Sequence, residues 1–249
     1  MRTITIGDIH GGYKALEQLI EKIELQDRDL LIFLGDYIDG WSQSFEVIEF
    51  LISLKQKRIQ NNQTAPIYLR GNHDELFLNY LKTKAQNSMW LHHGGQSTID
   101  SYKDRSINDF ERHVEFFEKG LKNYYVDKSN NGYFHAGFHN LKGPEHDYYD
   151  NMPYWDRTLW ELALCVDPSL TPDNDRYPNR LRLYKEIFIG HTPTSRLGKL
   201  KPVNAVNVWN IDTAAAYKGP LTALCVETKE IWQSDPVHTF YPNENGRNE

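Results

Sequence analysis

Short stretches of apolar and β-branched residues in this chain end repeatedly in a turn that combines glycine with a side chain able to bind a metal ion. The stretches are 2–6, 30–34, 67–69, 132–134 and 186–189, and the residues that follow them are Gly7-Asp8, Gly35-Asp36, Arg70-Gly71-Asn72-His73, His135-Ala136-Gly137 and Gly190-His191. Their length and their β-branched and aromatic content predict β-strands. Core packing alone does not require metal-binding side chains at so many strand ends. The pattern therefore favours a fold in which several strand ends converge on one site.

Helical patterns follow the first two predicted strands. Residues 13–23 place Leu16, Leu19 and Ile23 at helical spacing, and a second helix is predicted to begin near Ser44. Strands that alternate with helices indicate an α/β fold. In open α/β sheets ligands bind at the carboxyl ends of the strands, where the loops converge. We therefore expect the polar side chains at these strand ends to lie close together.

The rest of the chain is less regular. Residues 76–119 are predicted to be mostly helical, and residues 206–211 and 221–227 are predicted to be two strands joined by a turn. The stretch 141–182 is rich in proline, tyrosine and tryptophan, which predicts an ordered but irregular insert near the site. The polar residues after Pro242 are predicted to be frayed.

Composition limits the class of protein. With 249 residues, 39% of them hydrophobic, the chain can bury a sizeable core, and we predict a single domain over residues 1–249. The net charge of −6 and the lack of a dense basic block argue against a nucleic-acid partner. No apolar run is long enough for a membrane span, no signal peptide is evident, and two cysteines are too few for a disulfide scaffold, so we expect a cytoplasmic protein without a membrane partner. The oligomeric state stays open.

The strand-end residues supply oxygen and nitrogen ligands but no thiolate. Such a set suits paired Mn, Fe, Zn or similar ions better than a structural zinc. Two ions need a bridging ligand, and a carboxylate can bridge where a single imidazole nitrogen cannot, so Asp36 is the candidate. Two divalent ions would outweigh the charges of Asp8 and Asp36. The surplus positive charge would attract a phosphate group and lower the pKa of bridging water, which would provide hydroxide as a nucleophile.

Several ordered motifs resemble those of one enzyme family. They are Gly7-Asp8-Ile9-His10-Gly11, Gly35-Asp36-Tyr37-Ile38-Asp39-Gly40 and Gly71-Asn72-His73-Asp74, followed by His135 and Gly190-His191. In this order they resemble the calcineurin-like metallophosphoesterases, in particular the serine/threonine phosphoprotein phosphatase branch with its bacterial and phage members. The resemblance implies two packed β-sheets flanked by helices.

The resemblance also implies roles for individual residues. Asp8, His10 and Asp36 would hold one metal ion. The second would be held by Asp36, Asn72, His135 and His191. Manganese is the expected metal, with Fe, Zn or Ni as alternatives. His73, oriented by Asp39, would protonate the leaving oxygen, a step worth about 10²- to 10⁴-fold in rate.

One position departs from the family pattern. The family usually has arginine directly after the second aspartate of the Gly-Asp-x-x-Asp motif, where it binds substrate phosphate, but this chain has Gly40. A second family arginine follows a Trp-x-Arg pattern, which Arg157 fits. Arg157 and Asn72 are therefore the expected phosphate-binding residues. Arg70 could compensate for the missing arginine, or it could form a structural ion pair.

Ordinary structural roles compete with these functional ones. Asp8 and Asp36 could be helix caps, and Asp39 could be a turn residue. His73 could be a passive neighbour of Asn72, and Arg157 could form a surface ion pair. The adjacent His92 and His93 are not expected to bind the metals.

The function that the residues and the resemblance favour is metal-dependent hydrolysis of a phosphomonoester, with phosphoserine and phosphothreonine of proteins as the first substrate class. Bis-nucleoside polyphosphates such as diadenosine tetraphosphate are the second. Because Gly40 replaces the expected arginine, a weakly active metal-binding module for protein recognition is an alternative of another class. A nuclease is disfavoured, since a polynucleotide backbone requires a basic surface that this acidic chain lacks.

Overall fold

The computed structural model describes residues 1–85 and 87–247. Its strands are, in chain order, β1 (Thr3–Ile6), β2 (Leu30–Phe33), β3 (Ile67–Leu69), β4 (Leu121–Lys122), β5 (Tyr124–Val126), β6 (Gly132–Phe134), β7 (Ile187–Ile189), β8 (Val203–Ala205), β9 (Val208–Asn210), β10 (Pro220–Cys225) and β11 (Ile231–Pro236). They form a 6-stranded sheet in the order β11-β10-β1-β2-β3-β4 and a 5-stranded sheet in the order β5-β6-β7-β9-β8. Both sheets mix parallel and antiparallel pairs.

The helices are α1 (Tyr13–Ile23), α2 (Ser44–Gln60), α3 (Asn72–Thr83), α4 (Ser88–Trp90), α5 (Gln96–Ser101), α6 (Ile107–Glu115), α7 (Met152–Trp155), α8 (Thr158–Cys165) and α9 (Asn179–Arg182). The segment Leu91–Gly95 is a kink between α4 and α5, where His93 and Gly94 leave the helical backbone conformation. A π-helical turn occupies Phe116–Gly120, and 3₁₀-helical turns occupy Pro144–His146, Thr194–Leu197 and Val237–Phe240. No helix in the described part of the chain is both long enough and apolar enough to cross a lipid bilayer.

Alternation along β2 explains how the layers stack. Leu31 and Phe33 belong to the core that packs the first sheet against α1 and α2, while Leu30 and Ile32 belong to a second core shared with strands of the other sheet. Successive side chains of a strand point to opposite faces, so a strand that is buried on both faces, such as β2, has few polar residues. The second sheet packs its outer face against Leu159 and other residues of α8. The result is a helix–sheet–sheet–helix arrangement, and the predicted fold class is confirmed.

The structure confirms the prediction for one late segment and corrects it for another. Residues 206–211 and 221–227 carry β9 and most of β10 as predicted, and these strands lie in different sheets, so the turn between them carries the chain from one sheet to the other. The end of the chain is not frayed up to residue 247, because Glu244 accepts hydrogen bonds from Ser42 and the Arg247 N–H donates to the Ala216 carbonyl. Residues 248 and 249 lie outside the described part.

The remaining segments differ from expectation in detail. Residues 76–119 are mostly helical as predicted, with position 86 outside the described residues. The stretch 141–182 is less irregular than expected, since it contains α7, α8 and α9, and α8 contributes to the core under the second sheet. The single domain over residues 1–249 stays a prediction.

Glycine at position 35 permits the close approach of two strand ends. Gly35 has φ of +103°, and a Cβ atom there would lie 2.5 Å from the backbone nitrogen of Gly71. We expect Gly35→Ala to lower the free energy of unfolding by about 3 kcal/mol, since both backbone strain and a collision with backbone must be relieved. Denaturant unfolding followed by circular dichroism measures this change.

Gly198 provides the matched control. It also has positive φ, +68°, but a Cβ there would have nothing within 4 Å. Gly198→Ala should therefore cost only the strain of the left-handed backbone, about 1 kcal/mol. Equal losses in the two variants would contradict the close-approach explanation.

Candidate metal centre

Side chains from both sheets meet at the carboxyl ends of the strands. Asp8, His10 and Asp36 form one group of buried donor atoms, and Asp36, His135 and His191 form another. Within each group the atoms lie within 4.8 Å of one another. Asp36 belongs to both groups, as a bridging ligand would. Asn72 lies beside the second group, with its Oδ1 3.2 Å from His135 Nε2.

Hydrogen bonds to backbone carbonyls fix which ring nitrogens are free. His10 Nδ1 lies 2.9 Å from the Asp39 carbonyl, and His135 Nδ1 lies 2.9 Å from the Leu34 carbonyl. A carbonyl only accepts hydrogen bonds, so each Nδ1 carries the proton, and a neutral ring then has a lone pair on Nε2. Both Nε2 atoms lie 3.4 Å from the same oxygen, Asp36 Oδ2. A cation is the natural partner for such converging lone pairs.

Two further donor atoms lack a protein partner. Asp8 Oδ1 and His191 Nε2 are buried and make no hydrogen bond within the described residues. Buried polar atoms are nearly always paired, and an unpaired one in a native site calls for an explanation such as a bound ion. Together with the oxygen and nitrogen chemistry of the set, these orphaned atoms show that the residues present fit a pair of divalent metal ions.

The carboxylates differ in their preferred charge state. Burial raises the pKa of Asp8 well above its usual range, and the charges of Asp212 and Asp36 add to this rise. Burial also raises the pKa of Asp212 to about 6. For Asp36 burial acts in the same direction, but the interactions with His135 and His73 outweigh it, and its pKa falls well below the ordinary value. Asp36 therefore stays ionised at the point that the two groups share.

The histidines respond differently to the same surroundings. Burial lowers the pKa of His10 and of His191 well below the ordinary value, which keeps both rings neutral, the form that binds metals. For His135 burial opposes the charged form, but the Asp36 carboxylate prevails and its pKa is raised. A proton thus favours the position between His135 and Asp36, and a cation bound there would replace it.

Strained backbone is concentrated at this site. His10, Asp36, Asp39 and His191 have φ of 53°, 52°, 71° and 67°. Left-handed backbone costs a residue with a Cβ about 1–2 kcal/mol and persists only where the surroundings enforce it. Part of that enforcement comes from Asp74, whose carboxylate accepts hydrogen bonds from the backbone N–H groups of Asp36, Tyr37 and Gly71.

A histidine and aspartate pair lies directly beside the donor groups. His73 Nδ1 donates to Asp39 Oδ2 at 2.6 Å, and the His73 backbone N–H donates to Asp36 Oδ1 at 3.0 Å. Two residues that the sequence reasoning missed hold the Asp39 carboxylate. Trp90 Nε1 donates to Oδ2 at 2.6 Å, and Thr98 Oγ1 donates to Oδ1 at 2.5 Å. The sequence feature that could have pointed to both residues is the Gly94-Gly95 pair that lies between them. In the structure this segment approaches the Asp39 loop so closely that a Cβ on Gly94 would lie 2.7 Å from the Gly40 nitrogen.

A cavity of about 390 Å³ opens over these groups. Asn72, His73 and Arg157 line it, as the predicted roles require, and so do His93, Asp212 and two unpredicted arginines, Arg196 and Arg247. Arg157 is not in an ion pair with a described residue, and its Nη1 donates to Thr192 Oγ1 at 2.9 Å. Neither His92 nor His93 belongs to a group of converging metal-binding atoms among the described residues.

Arg70 does not belong to the cavity wall among the described residues. Its Nη1 donates to Glu75 Oε2 at 3.0 Å, and its Nη2 donates to the Phe117 carbonyl at 2.7 Å. The guanidinium is therefore used in a structural ion pair on α3, and Arg70 is not placed to compensate for the missing arginine at position 40.

Comparisons with known proteins agree with this architecture. The family model for calcineurin-like phosphoesterases matches residues 1–217. The bis(5'-nucleosyl)-tetraphosphatase PrpE of Geobacillus thermodenitrificans is 26% identical, covering 88% of each chain. Serine/threonine-protein phosphatase 2 of Escherichia coli is 32% identical but covers only 43% of this chain and 42% of that protein. A serine/threonine phosphatase structure from Saccharomyces cerevisiae superposes with a TM-score of 0.60 at 16% identity, over 94% of this chain and 80% of that chain, which supports the fold.

The shared position of Asp36 leads to a test of metal content. We expect wild-type protein saturated with Mn²⁺ and freed of excess metal to retain about two ions per chain, and Asp36→Asn to lose most of both, since the amide removes the charge that both groups share. Plasma mass spectrometry measures the content. His73→Asn is the control, because the hydrogen bond that His73 donates to Asp36 comes from its backbone N–H, which the substitution keeps. Equal metal loss in the two variants would contradict this division of roles.

Proposed function

The chain belongs to the calcineurin-like phosphoesterase family and is a metal-dependent phosphoester hydrolase; we propose that it is a phosphomonoesterase that acts on phosphoserine and phosphothreonine in proteins. The observation that carries the proposal is the His73–Asp39 pair, hydrogen-bonded at 2.6 Å and joined to Asp36 through the His73 backbone. A protein that only bound metal or a partner would have no use for such a pair. The pair therefore argues against the alternative of a feebly active recognition module.

The family binds a dinuclear metal centre, and we assign its ligands to this chain's own residues. Asp8, His10 and Asp36 would hold one ion. Asp36, Asn72, His135 and His191 would hold the other, and manganese is the expected metal. When bound, two divalent ions would make water a competent nucleophile near neutral pH and would offset the charge of the phosphate.

The protein's own groups orient the substrate and supply the proton. Arg157 and the Asn72 amide would bind phosphate oxygens at the cavity wall, where a guanidinium can make two charge-assisted hydrogen bonds. His73 uses Nδ1 to contact Asp39, which leaves Nε2 as the ring atom available to the substrate. From Nε2 a proton would pass to the leaving oxygen of the serine or threonine side chain, which otherwise leaves as an unstable alkoxide. Trp90 and Thr98 hold Asp39, so they would keep the ring in position.

A second candidate substrate class is the bis(5'-nucleosyl) tetraphosphates. The observation that favours it is coverage, because the relatives that carry this name match 88% or more of the chain, while the matching phosphatase covers 43%. The cavity also offers surfaces on which a base could stack, since Trp155 is 39% exposed and Met89 is 71% exposed. The two candidates would share the same metal centre. They differ in the bond that is cleaved, a phosphomonoester or a phosphoanhydride, and in what fills the outer cavity.

We also propose a cytoplasmic location. Cys165 and Cys225 are both free, which suits a reducing compartment. The acidic balance of the chain, −6, gives no support to a polynucleotide partner.

Parallel rate measurements separate the substrate classes. Protein stripped with chelator and refilled with Mn²⁺ should hydrolyse p-nitrophenyl phosphate, and it should hydrolyse a phosphothreonine peptide with at least about tenfold higher kcat/KM than diadenosine tetraphosphate or bis-p-nitrophenyl phosphate. A preference for the tetraphosphate would favour the second candidate. A rate no higher than that of buffer with every divalent metal would favour the recognition module.

The leaving group tests the role of His73. We expect His73→Asn to lower kcat about 10²- to 10⁴-fold on a phosphothreonine peptide, because the alkoxide needs the proton, and far less on p-nitrophenyl phosphate, whose phenolate leaves readily. Steady-state rates on both substrates, with metal content measured alongside, check this. Equal losses on the two substrates would show that His73 does not act as the general acid. Lys185→Gln, an exposed substitution away from the cavity, is the control that should leave both rates unchanged.

A further inference from the structure

The place beside Gly40 is filled by a side chain from the other end of the chain. A Cβ on Gly40 would lie 3.3 Å from Arg247 Cγ and 3.3 Å from the His10 carbonyl oxygen. Gly40 also has φ of +119°, which strains any residue with a side chain. Position 40 is therefore shaped to leave room for Arg247 and could not carry its own arginine without strain.

The C-terminal segment that carries Arg247 is held by several contacts to the loop after Gly40. Tyr241 stacks on Trp41 with ring centroids 5.3 Å apart, and Glu244 accepts hydrogen bonds from Ser42 N at 2.9 Å and from Ser42 Oγ at 2.6 Å. The Arg247 N–H then donates to the Ala216 carbonyl at 2.8 Å. These contacts fix the backbone of Arg247 over the loop that also carries Asp39.

Arg247 lines the cavity together with the metal-binding residues. Its Cζ lies 5.6 Å from the centre of the Tyr217 ring, and its Nε is buried without a hydrogen-bond partner among the described residues. A buried donor without an acceptor costs free energy, so a ligand that brings an acceptor would relieve it. Arg247 therefore has hydrogen-bonding capacity that no described residue uses.

Three cations face this cavity without an ion pair to a described acid. They are Arg157, Arg196 and Arg247. Burial lowers the pKa of Arg157, and repulsion from Arg196 and from Arg247 lowers it further, so Arg157 lies within electrostatic reach of both. A phosphate group between them would turn this repulsion into attraction.

We propose that Arg247 binds the substrate phosphate from the C-terminal segment, in the space left open by Gly40. The proposal rests on the proposed function only in taking a phosphoester as the ligand. Residues 241–247 are then part of the active site, and the guanidinium that the loop after β2 does not supply comes from the end of the chain.

The test compares Arg247→Gln and Arg247→Lys with wild type, all loaded with Mn²⁺. We expect Arg247→Gln to lower kcat/KM for p-nitrophenyl phosphate at least tenfold, and to weaken the binding of inorganic phosphate about tenfold, measured both as inhibition and by calorimetry. The kcat/KM and the phosphate affinity of Arg247→Lys should lie between those of wild type and of Arg247→Gln, because lysine keeps the charge but cannot form the bidentate hydrogen bonds of arginine. Arg28→Gln, an exposed arginine outside the cavity lining, should match wild type.

Two results would overturn the proposal. One is a kcat/KM and a phosphate affinity of Arg247→Gln within twofold of wild type. The other is a loss of activity accompanied by a lower Tm or metal content while phosphate affinity is unchanged, since that would mark a structural role. Calorimetry with inorganic phosphate measures the contribution of Arg247 to phosphate binding even if no substrate is hydrolysed. Failure of this proposal is therefore distinguishable from failure of the proposed function.

Discussion

The carboxylate of Asp36 is the contact on which the rest of the site depends. Its Oδ2 lies 3.4 Å from Nε2 of both His10 and His135, and its Oδ1 accepts a hydrogen bond from the backbone N–H of His73. One side chain thus joins the loop after β1, the start of α3 and the second sheet. To reach all three, Asp36 adopts left-handed backbone, and Gly35 and Gly71 supply the space around it. The glycines of the motifs are therefore part of the ligand geometry rather than mere turn residues.

This arrangement lowers the free energy of unfolding. Asp8, Asp36 and Asp74 are almost completely buried, and four site residues have left-handed backbone. Each feature costs free energy that the hydrophobic layers on either side of the sheets must offset. β1 and β2, the strands that lead to Asp8 and Asp36, are buried on both faces, and β2 is apolar throughout.

The buried parallel strands were predictable because they are short runs of apolar and β-branched residues, and the polar residue after each run marks the loop end. Strand β11 escaped prediction, since Ile231–Pro236 is an edge strand with mixed polarity. The ligand candidates follow from position along the chain and are brought together as expected. Trp90 and Arg247 could not be found in this way, because each reaches the site through contacts between distant segments. Arg70 follows a strand end yet turns away, because Glu75 lies one helical turn further on.

The donor atoms are divided between the two sheets, with Asp8, His10, Asp36 and Asn72 after strands of the first, and His135 and His191 after strands of the second. An ion held by Asp36, His135 and His191 would therefore cross-link the two sheets. Metal binding and folding would then be thermodynamically coupled, because a ligand that binds only the folded protein also raises its free energy of unfolding. A shortage of the metal would then lower the stability of the fold as well as the activity. The rate at which the protein is degraded in the cell would therefore depend on the supply of the ion.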